Sequence, residues 1–489
     1  MAITSDPVMS PADPAPPAMR GVFDPDTYRA RREALARAVP GALLLVPGNA
    51  AKAMDFRANQ YPFVQDGTFR YFFGLDQPDL AGLIDTETGD AWLFGEATGI
   101  DEAVWLGSRP SLGELAARVG VTRCADGAAL AATMADAIGR GRQIAWPPPY
   151  CAEGMVTLAR LTGQSLARIA ASANAPGNLA LVRAIVGLRE IKSAAEIAEM
   201  EAALAVTARM HHAAMAATRP GVREHEVVGR FEGIMRAADL HFAYQPIFSG
   251  RGEVLHNLRY DRVLAAGELV VNDSGAKSHG GYASDITRTI PVSGRFNALQ
   301  LRLYETVLRA QQAAIEACRP GVRFVDLHLL AARIMVEDLV DLGLFRGAVD
   351  DIVATGAYAL CFPCGLGHQI GLDVHDMEAL GEDNVGYDGE NRRSALFGLR
   401  NLRLARPLRR DMTVTVEPGL YFIPELIDMW RGEARHAGLI DYDAFDRLRG
   451  FGGIRIEDDV HVTAEGGRVL GPPIARSAHD VEQAMQGDA

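Results

Sequence analysis

Several strand-like and glycine-rich runs in the second half of this chain hold carboxylates and imidazoles among apolar residues. GELVVNDSG puts Asp273 at the end of an apolar strand, and after a Gly280-Gly281 turn YASDITRTIPVSG puts Asp285 on the returning strand. FPCGLGHQIGLDVHD contains His368 and His375; DMTVTVEPGLYF ends an apolar strand on Glu417; FGGIRIEDDVHVT holds Arg455 and Glu457. A buried, ionised carboxylate must be paired or must hold a metal. Brought together, Asp273, Asp285, Glu417 and Glu457 repel one another, and no run of Lys or Arg interleaves with them. Two divalent cations resolve the conflict. Carboxylates with an imidazole form an oxygen-rich set that suits Mn2+, and also Co2+ or Zn2+. Two such ions about 3.5–4 Å apart share a bridging water and turn it into hydroxide at neutral pH.

Each element alone has a plainer reading. A lone Asp at a strand end is usually a turn cap, and a lone His in a glycine-rich loop is usually structural or solvated. The joint occurrence, in this order, carries the inference. His211, His212, His225 and His279 are read as exposed or helical positions without ligand spacing. The five cysteines, Cys124, Cys151, Cys318, Cys361 and Cys364, are too few and too odd in number for a disulfide scaffold, so a reducing cytoplasm is the expected compartment. Cys361 and Cys364 form a C-x-x-C without a second pair, which speaks against a zinc or thioredoxin-like site.

The elements that must position these residues are legible in outline. Residues 1–20, rich in Pro, Ala and Asp, are expected to be a disordered tail. From 21 to 182, helical stretches (DPDTYRARREALARAV, SLGELAARVGV, AALAATMADAIG) alternate with short apolar strands (ALLLVPG, LAGLIDT, DAWLFG), which predicts an α/β domain. The second domain is expected over 183–489. It opens on a capping box, Ser193 with Glu196, ahead of a helix carrying Ile197, Met200 and Leu204. The segment Arg219-Pro220-Gly221-Val222-Arg223 recurs 100 residues later as Arg319-Pro320-Gly321-Val322-Arg323, each copy between two helical stretches. This predicts a duplicated helix–turn–helix and a domain of two related halves. The net charge of −13 argues against nucleic acid or an anionic membrane as partner, no apolar run is long enough for a transmembrane helix, and the N-terminus lacks the features of a Sec signal peptide.

VVNDSG, YASDITRT, GLGHQIGLDVHD, TVEPGLYF and GGIRIEDD, in this order over about residues 185–475, resemble the metal-site motifs of the proline-specific peptidases of family M24, aminopeptidase P and prolidase. YPFVQDGTFRYFFG resembles their N-terminal domain more weakly. The resemblance implies an α+β fold: a C-terminal pita-bread domain with pseudo-twofold halves, preceded by the smaller α/β domain. It implies Asp273, Asp285, His368, Glu417 and Glu457 as ligands of two metal ions, with Asp285 and Glu457 bridging. Glu417 is also implied as general base, His256 and His375 as contacts to substrate and oxyanion, and Arg455 as the group orienting the carboxylates. The implied reaction is attack of a metal-bound hydroxide on the Xaa carbonyl of peptides with proline in second position. A homodimer is the implied assembly.

Two features depart from the family pattern. The Asp ligands stand 12 apart, one more than usual, which predicts a longer turn around Ser278–Gly281. Cys364 stands where the family usually has a histidine on the substrate side, which puts proline-peptide turnover in question. Features of both enzymes are present. The stretch from Glu417 to Glu457, 40 positions on, looks like prolidase, and YPFVQDGTF looks like aminopeptidase P. The lean is toward an aminopeptidase, with the dipeptidase as alternative. Residues 378–404 are read either as a wall that sets substrate length or as a surface excursion. A binding protein that kept the fold and lost its metals is the rival class; the intact ligand set opposes it, as it opposes the metal-free creatine amidinohydrolases.

Overall fold

The computed structural model describes residues 23–96, 99–107 and 109–486; the tail expected at 1–20 lies outside them. The chain divides into two compact units between Leu181 and Val182, inside the helix Pro176–Arg189. Among the described residues no helix is long and apolar enough to cross a membrane.

The first unit is built on a mixed five-stranded sheet in the spatial order Arg123–Ala125, Ala91–Phe94, Ala81–Asp85, Ala42–Pro47, Gln143–Ala145. Its strand Ala42–Pro47 has neighbours on both sides and is buried along nearly its whole length. That burial explains the unbroken aliphatic run Leu43-Leu44-Leu45-Val46 in place of an alternating pattern. Leu43, Leu45, Leu83 and Phe94 pack with Leu130, Met134, Leu158 and Ile169 of the helices. The aromatic motif forms the helix Gly67–Phe73, capped by the Asp66 carboxylate accepting from the Phe69 N–H at 2.8 Å, and its Phe69, Phe72 and Phe73 are buried. The aromatic residues of this helix are therefore interior, whereas Tyr61 at the start of the motif is exposed.

The second unit has two halves that repeat one plan. Helix Ala194–Ala217, started by the Ser193–Glu196 capping box, turns at Pro220-Gly221 into helix Glu224–Ala237. Helix Ala298–Ala317 turns at Pro320-Gly321 into helix Phe324–Asp341. Gly221 and Gly321 both have φ +89°, a backbone that side chains with a Cβ rarely adopt. Their N–H groups donate to Leu264 O at 2.9 Å and Leu408 O at 2.8 Å, and the N–H groups of Leu264 and Leu408 donate back to Val222 O and Val322 O. The repeat seen in the sequence is thus a repeat of hydrogen bonding. In the first half, strand Leu269–Asp273 lies between Ile247–Ser249 and Thr287–Pro291, all antiparallel. In the second, Asp458–Val462 lies between Thr413–Val416 and Gly467–Val469, and Gly419–Tyr421 pairs with Gly453–Arg455 in a separate two-stranded sheet.

One histidine of this scaffold makes its stability pH-dependent. His328, on helix Phe324–Asp341, is fully buried; its Nε2 meets the Tyr358 hydroxyl at 2.9 Å, and its ring stacks on Phe362. Burial pushes its pKa down to about 3. The unfolded chain protonates this ring first, at about pH 6.5. Its contribution is therefore complete above that pH and is lost as pH falls from about 6.5 to about 3, by about 1.4 kcal/mol per pH unit. Thermal midpoints measured between pH 7.5 and pH 5 should fall with acid, and His328→Gln should make the fall shallower; an unchanged slope in that variant rules His328 out as a contributor.

Candidate metal centre

Asp273 ends its strand, and Asp285 precedes the partner strand, which starts at Thr287 and not at Asp285 itself. Between them Gly281 N–H closes a turn on Ser278 O at 2.9 Å, where the additional residue was expected. The Tyr244 hydroxyl meets both Asp273 Oδ1 and Asp285 Oδ1, so the two carboxylates converge. One hydroxyl proton serves only one of two facing oxygens.

The second half adds its groups by pairing the glycine-rich segment with a strand. His368 N–H donates to Thr415 Oγ1 at 3.1 Å, Thr415 N–H to His368 O at 2.9 Å, and Glu417 N–H to Leu366 O at 2.7 Å. Gly367 is required by this close approach, since a Cβ there would lie 2.1 Å from Thr415 O. The result brings His368 Nε2 to 3.4 Å from Asp285 Oδ2 and 3.5 Å from Glu417 Oε1. Its other nitrogen, Nδ1, lies 2.9 Å from Gln369 O, a carbonyl that only accepts. Nδ1 therefore carries the hydrogen, and Nε2 presents a bare lone pair to two carboxylates. Burial keeps this ring neutral by lowering its pKa.

Glu457 is set beside Thr287 by an isolated β-bridge. Its Oε2 accepts from Thr287 Oγ1 at 2.7 Å, and Asp285, His368 and Glu457 each offer a ligand atom within 4.8 Å of the others. Arg455 is buried among them; it donates to Asp273 Oδ2 from Nη2, to Thr287 Oγ1 from Nε at 3.0 Å, and to the Tyr421 hydroxyl from Nη1 at 3.0 Å. Burial first, and neighbouring carboxylates second, raise the pKa of Asp285 to about 8 and push Glu457 well above the carboxylate range; Glu417 is raised as well, mainly by burial. One guanidinium does not balance this cluster. Converging carboxyl oxygens and an imidazole lone pair, which ionise together only if a positive charge joins them, form a donor set that a divalent cation fits.

The remaining candidates sit at the edge of this cluster. The His375 and His368 ring centroids are 4.2 Å apart, and His375 Nδ1 pairs with Glu378. His256 is solvent-exposed and lies within the electrostatic field of Arg455, Asp273, Arg403 and His375. The Cys364 thiol, raised to about 12 by burial and then by Glu417, is within hydrogen-bond reach of the Tyr421 hydroxyl. Cys361 is raised too, by burial, so both free thiols stay protonated at neutral pH.

Of the histidines set aside in the sequence, His212 and His225 are exposed on helices, but His211 is fully buried and His279 is a half-buried loop residue. His211 Nε2 lies 3.1 Å from Ser274 O and its Nδ1 3.2 Å from Asn272 Nδ2, bracing the strand that carries Asp273. Tyr244, Tyr421, Glu378 and Arg403 were not anticipated. Thr287 was findable, because it opens the strand that follows Asp285; nothing in FAYQP singles out Tyr244.

Comparison with known proteins agrees with this geometry. The profile of Metallopeptidase family M24 matches residues 198–464, and that of the Aminopeptidase P N-terminal domain matches residues 28–145. The chain is 32% identical to an Xaa-Pro dipeptidase of Homo sapiens, covering 87% of this chain and 85% of that protein. It is 30% identical to an Xaa-Pro aminopeptidase of Escherichia coli (strain K12), covering 94% and 97%. The solved structure of E. coli aminopeptidase P with the inhibitor Pro-Leu matches with a TM-score of 0.76 and 26% identity, over 95% of this chain and 99% of that one. The fold is thus α+β, an aminopeptidase P N-terminal domain followed in the chain by a pita-bread domain, and the chain belongs to metallopeptidase family M24, among the Xaa-Pro aminopeptidases and dipeptidases.

Proposed function

We propose that this chain hydrolyses the Xaa-Pro bond of peptides with proline in second position, with Asp273, Asp285, His368, Glu417 and Glu457 holding two divalent cations, Mn2+ by preference. The observation that carries this reading is the bare Nε2 of His368 facing the oxygens of Asp285 and Glu417. When bound, the ions supply Lewis acidity and make water a nucleophile at neutral pH. Arg455 holds Asp273, and Thr287 holds Glu457, so the carboxylates keep their places while charge shifts. Glu417 is the carboxylate of the cluster most open to solvent, its side chain 19% exposed, which suits it to take a proton from water and pass it to the leaving proline nitrogen. His375 and His256 face the substrate side and stabilise the oxyanion.

Substrate length turns on residues 378–404. The lean toward an aminopeptidase rests on the first domain, where Phe69 of the motif is buried while Tyr61 and Val64 are exposed. Arg403, from the other segment, favours the dipeptidase. Its field reaches His256, His368 and His375, and its ion pairs with Glu378 and Glu382 both use Nε. The two terminal nitrogens suit the free carboxylate of a dipeptide.

With Mn2+ added, Ala-Pro should be cleaved faster than Ala-Pro-Ala. A charge-assisted hydrogen bond is worth about 1.5–3 kcal/mol, so Arg403→Met should lose roughly 10- to 100-fold in kcat/KM on the dipeptide and little on the tripeptide. Faster cleavage of the tripeptide, unaffected by that variant, would instead establish the aminopeptidase. Cys364→His, which restores an imidazole to the substrate side, should raise Xaa-Pro turnover; equal or lower turnover counts against a limiting role for the thiol.

A further inference from the structure

We propose that Arg189, Lys192 and Asp376 form a buried ionic clamp that positions the ring of His375, a role that rests on the function proposed above. His375 lies on an irregular stretch from Gly371 to Met377, with no helix or strand to orient it. A group that stabilises an oxyanion must be held to about 0.5 Å. The adjacent residue supplies the anchor. Asp376 Oδ1 accepts from Arg189 Nη2 at 2.7 Å and Oδ2 from Lys192 Nζ at 2.8 Å; Arg189 Nη2 also reaches Asp373 Oδ2 at 2.8 Å. The Asp376 N–H donates to Gln369 O at 2.8 Å, which ties the same residue to the segment carrying His368.

The burial of this group is what sets it apart. The side chains of Arg189, Lys192 and Asp376 are 2%, 1% and 1% exposed. Taking each ion out of water is costly, and apolar residues of the same volume would fill the space at lower cost. Charged groups supply what apolar ones lack, a directional bond at each end. Two cations face two carboxylates, so the cluster is neutral and exerts little net field on the metal centre. Its geometric effect falls on residues 373–376. We therefore class Arg189, Lys192 and Asp376 as positioning residues.

The test is a double-mutant cycle on full-length protein with Mn2+ and Ala-Pro, joined to hydrogen exchange. Lys192→Met keeps the stem and removes the charge. It should lower kcat by about tenfold to a hundredfold with KM nearly constant, and should cause no further loss in a His375→Ala background. The amide of Asp376 should exchange at least about tenfold faster in Lys192→Met, with amides of the strand Thr413–Val416 unchanged. Losses that multiply across the two backgrounds, or an unchanged Asp376 amide, overturn the clamp. If Lys192→Met does not fold, Asp376→Asn, which keeps the shape and removes the charge that both cations face, replaces it in the same cycle. A wild type that cleaves no Xaa-Pro peptide refutes the function proposed above, and the exchange measurement still decides whether the clamp holds its loop.

Discussion

Repulsion among buried carboxylates is the constraint around which the catalytic unit is arranged. Asp273, Asp285 and Glu457 are buried and Glu417 nearly so, with the Arg455 guanidinium inside their cluster. Two like charges 4 Å apart repel by about 4 kcal/mol at an effective dielectric of about 20. Such a cluster exists only where the scaffold forces it and a compensating charge relieves it. The forcing is visible in the hydrogen bonds that reach each oxygen: Tyr244 spans Asp273 and Asp285, Thr287 holds Glu457, and Arg455 ties Asp273 to Thr287.

The same constraint explains why hydroxyls are so prominent near the site. Thr287, Thr415, Tyr244 and Tyr421 donate or accept without adding net charge, so they orient ionised neighbours without screening them from a cation. A lysine in any of these positions would compete with a metal for the carboxylates. Arg455 avoids that competition by engaging three partners at fixed angles.

Much of this was readable from residue order, for a physical reason. Carboxylates at the ends of apolar strands are conspicuous because burial makes them unfavourable, so Asp273, Asp285, Glu417 and Glu457 stood out. The two-half plan was readable because its turn needs the same glycine twice. Tyr244 and Arg403 were not, since an isolated tyrosine in a loop and one arginine among many carry no periodic signal; only three dimensions bring them to the cluster. His211 is helical, as expected, but its inward imidazole was not legible because its helix carries buried residues on more than one face. The aromatic motif near Tyr61 is split by the fold: Phe69, Phe72 and Phe73 are buried, whereas Tyr61 and Val64 are exposed.

The paired turns have a consequence for how such a scaffold diversifies. Gly221 and Leu264 are 43 positions apart, Gly321 and Leu408 are 87, and both pairs close with the same bond, at 2.9 and 2.8 Å. Doubling a loop raises its closure entropy by only about 0.6 kcal/mol. Chain can therefore be inserted between two such staples at small thermodynamic expense, and the longer interval is where His368, His375 and Arg403 reside. New selectivity can be grafted into that interval while the acidic cluster keeps its shape.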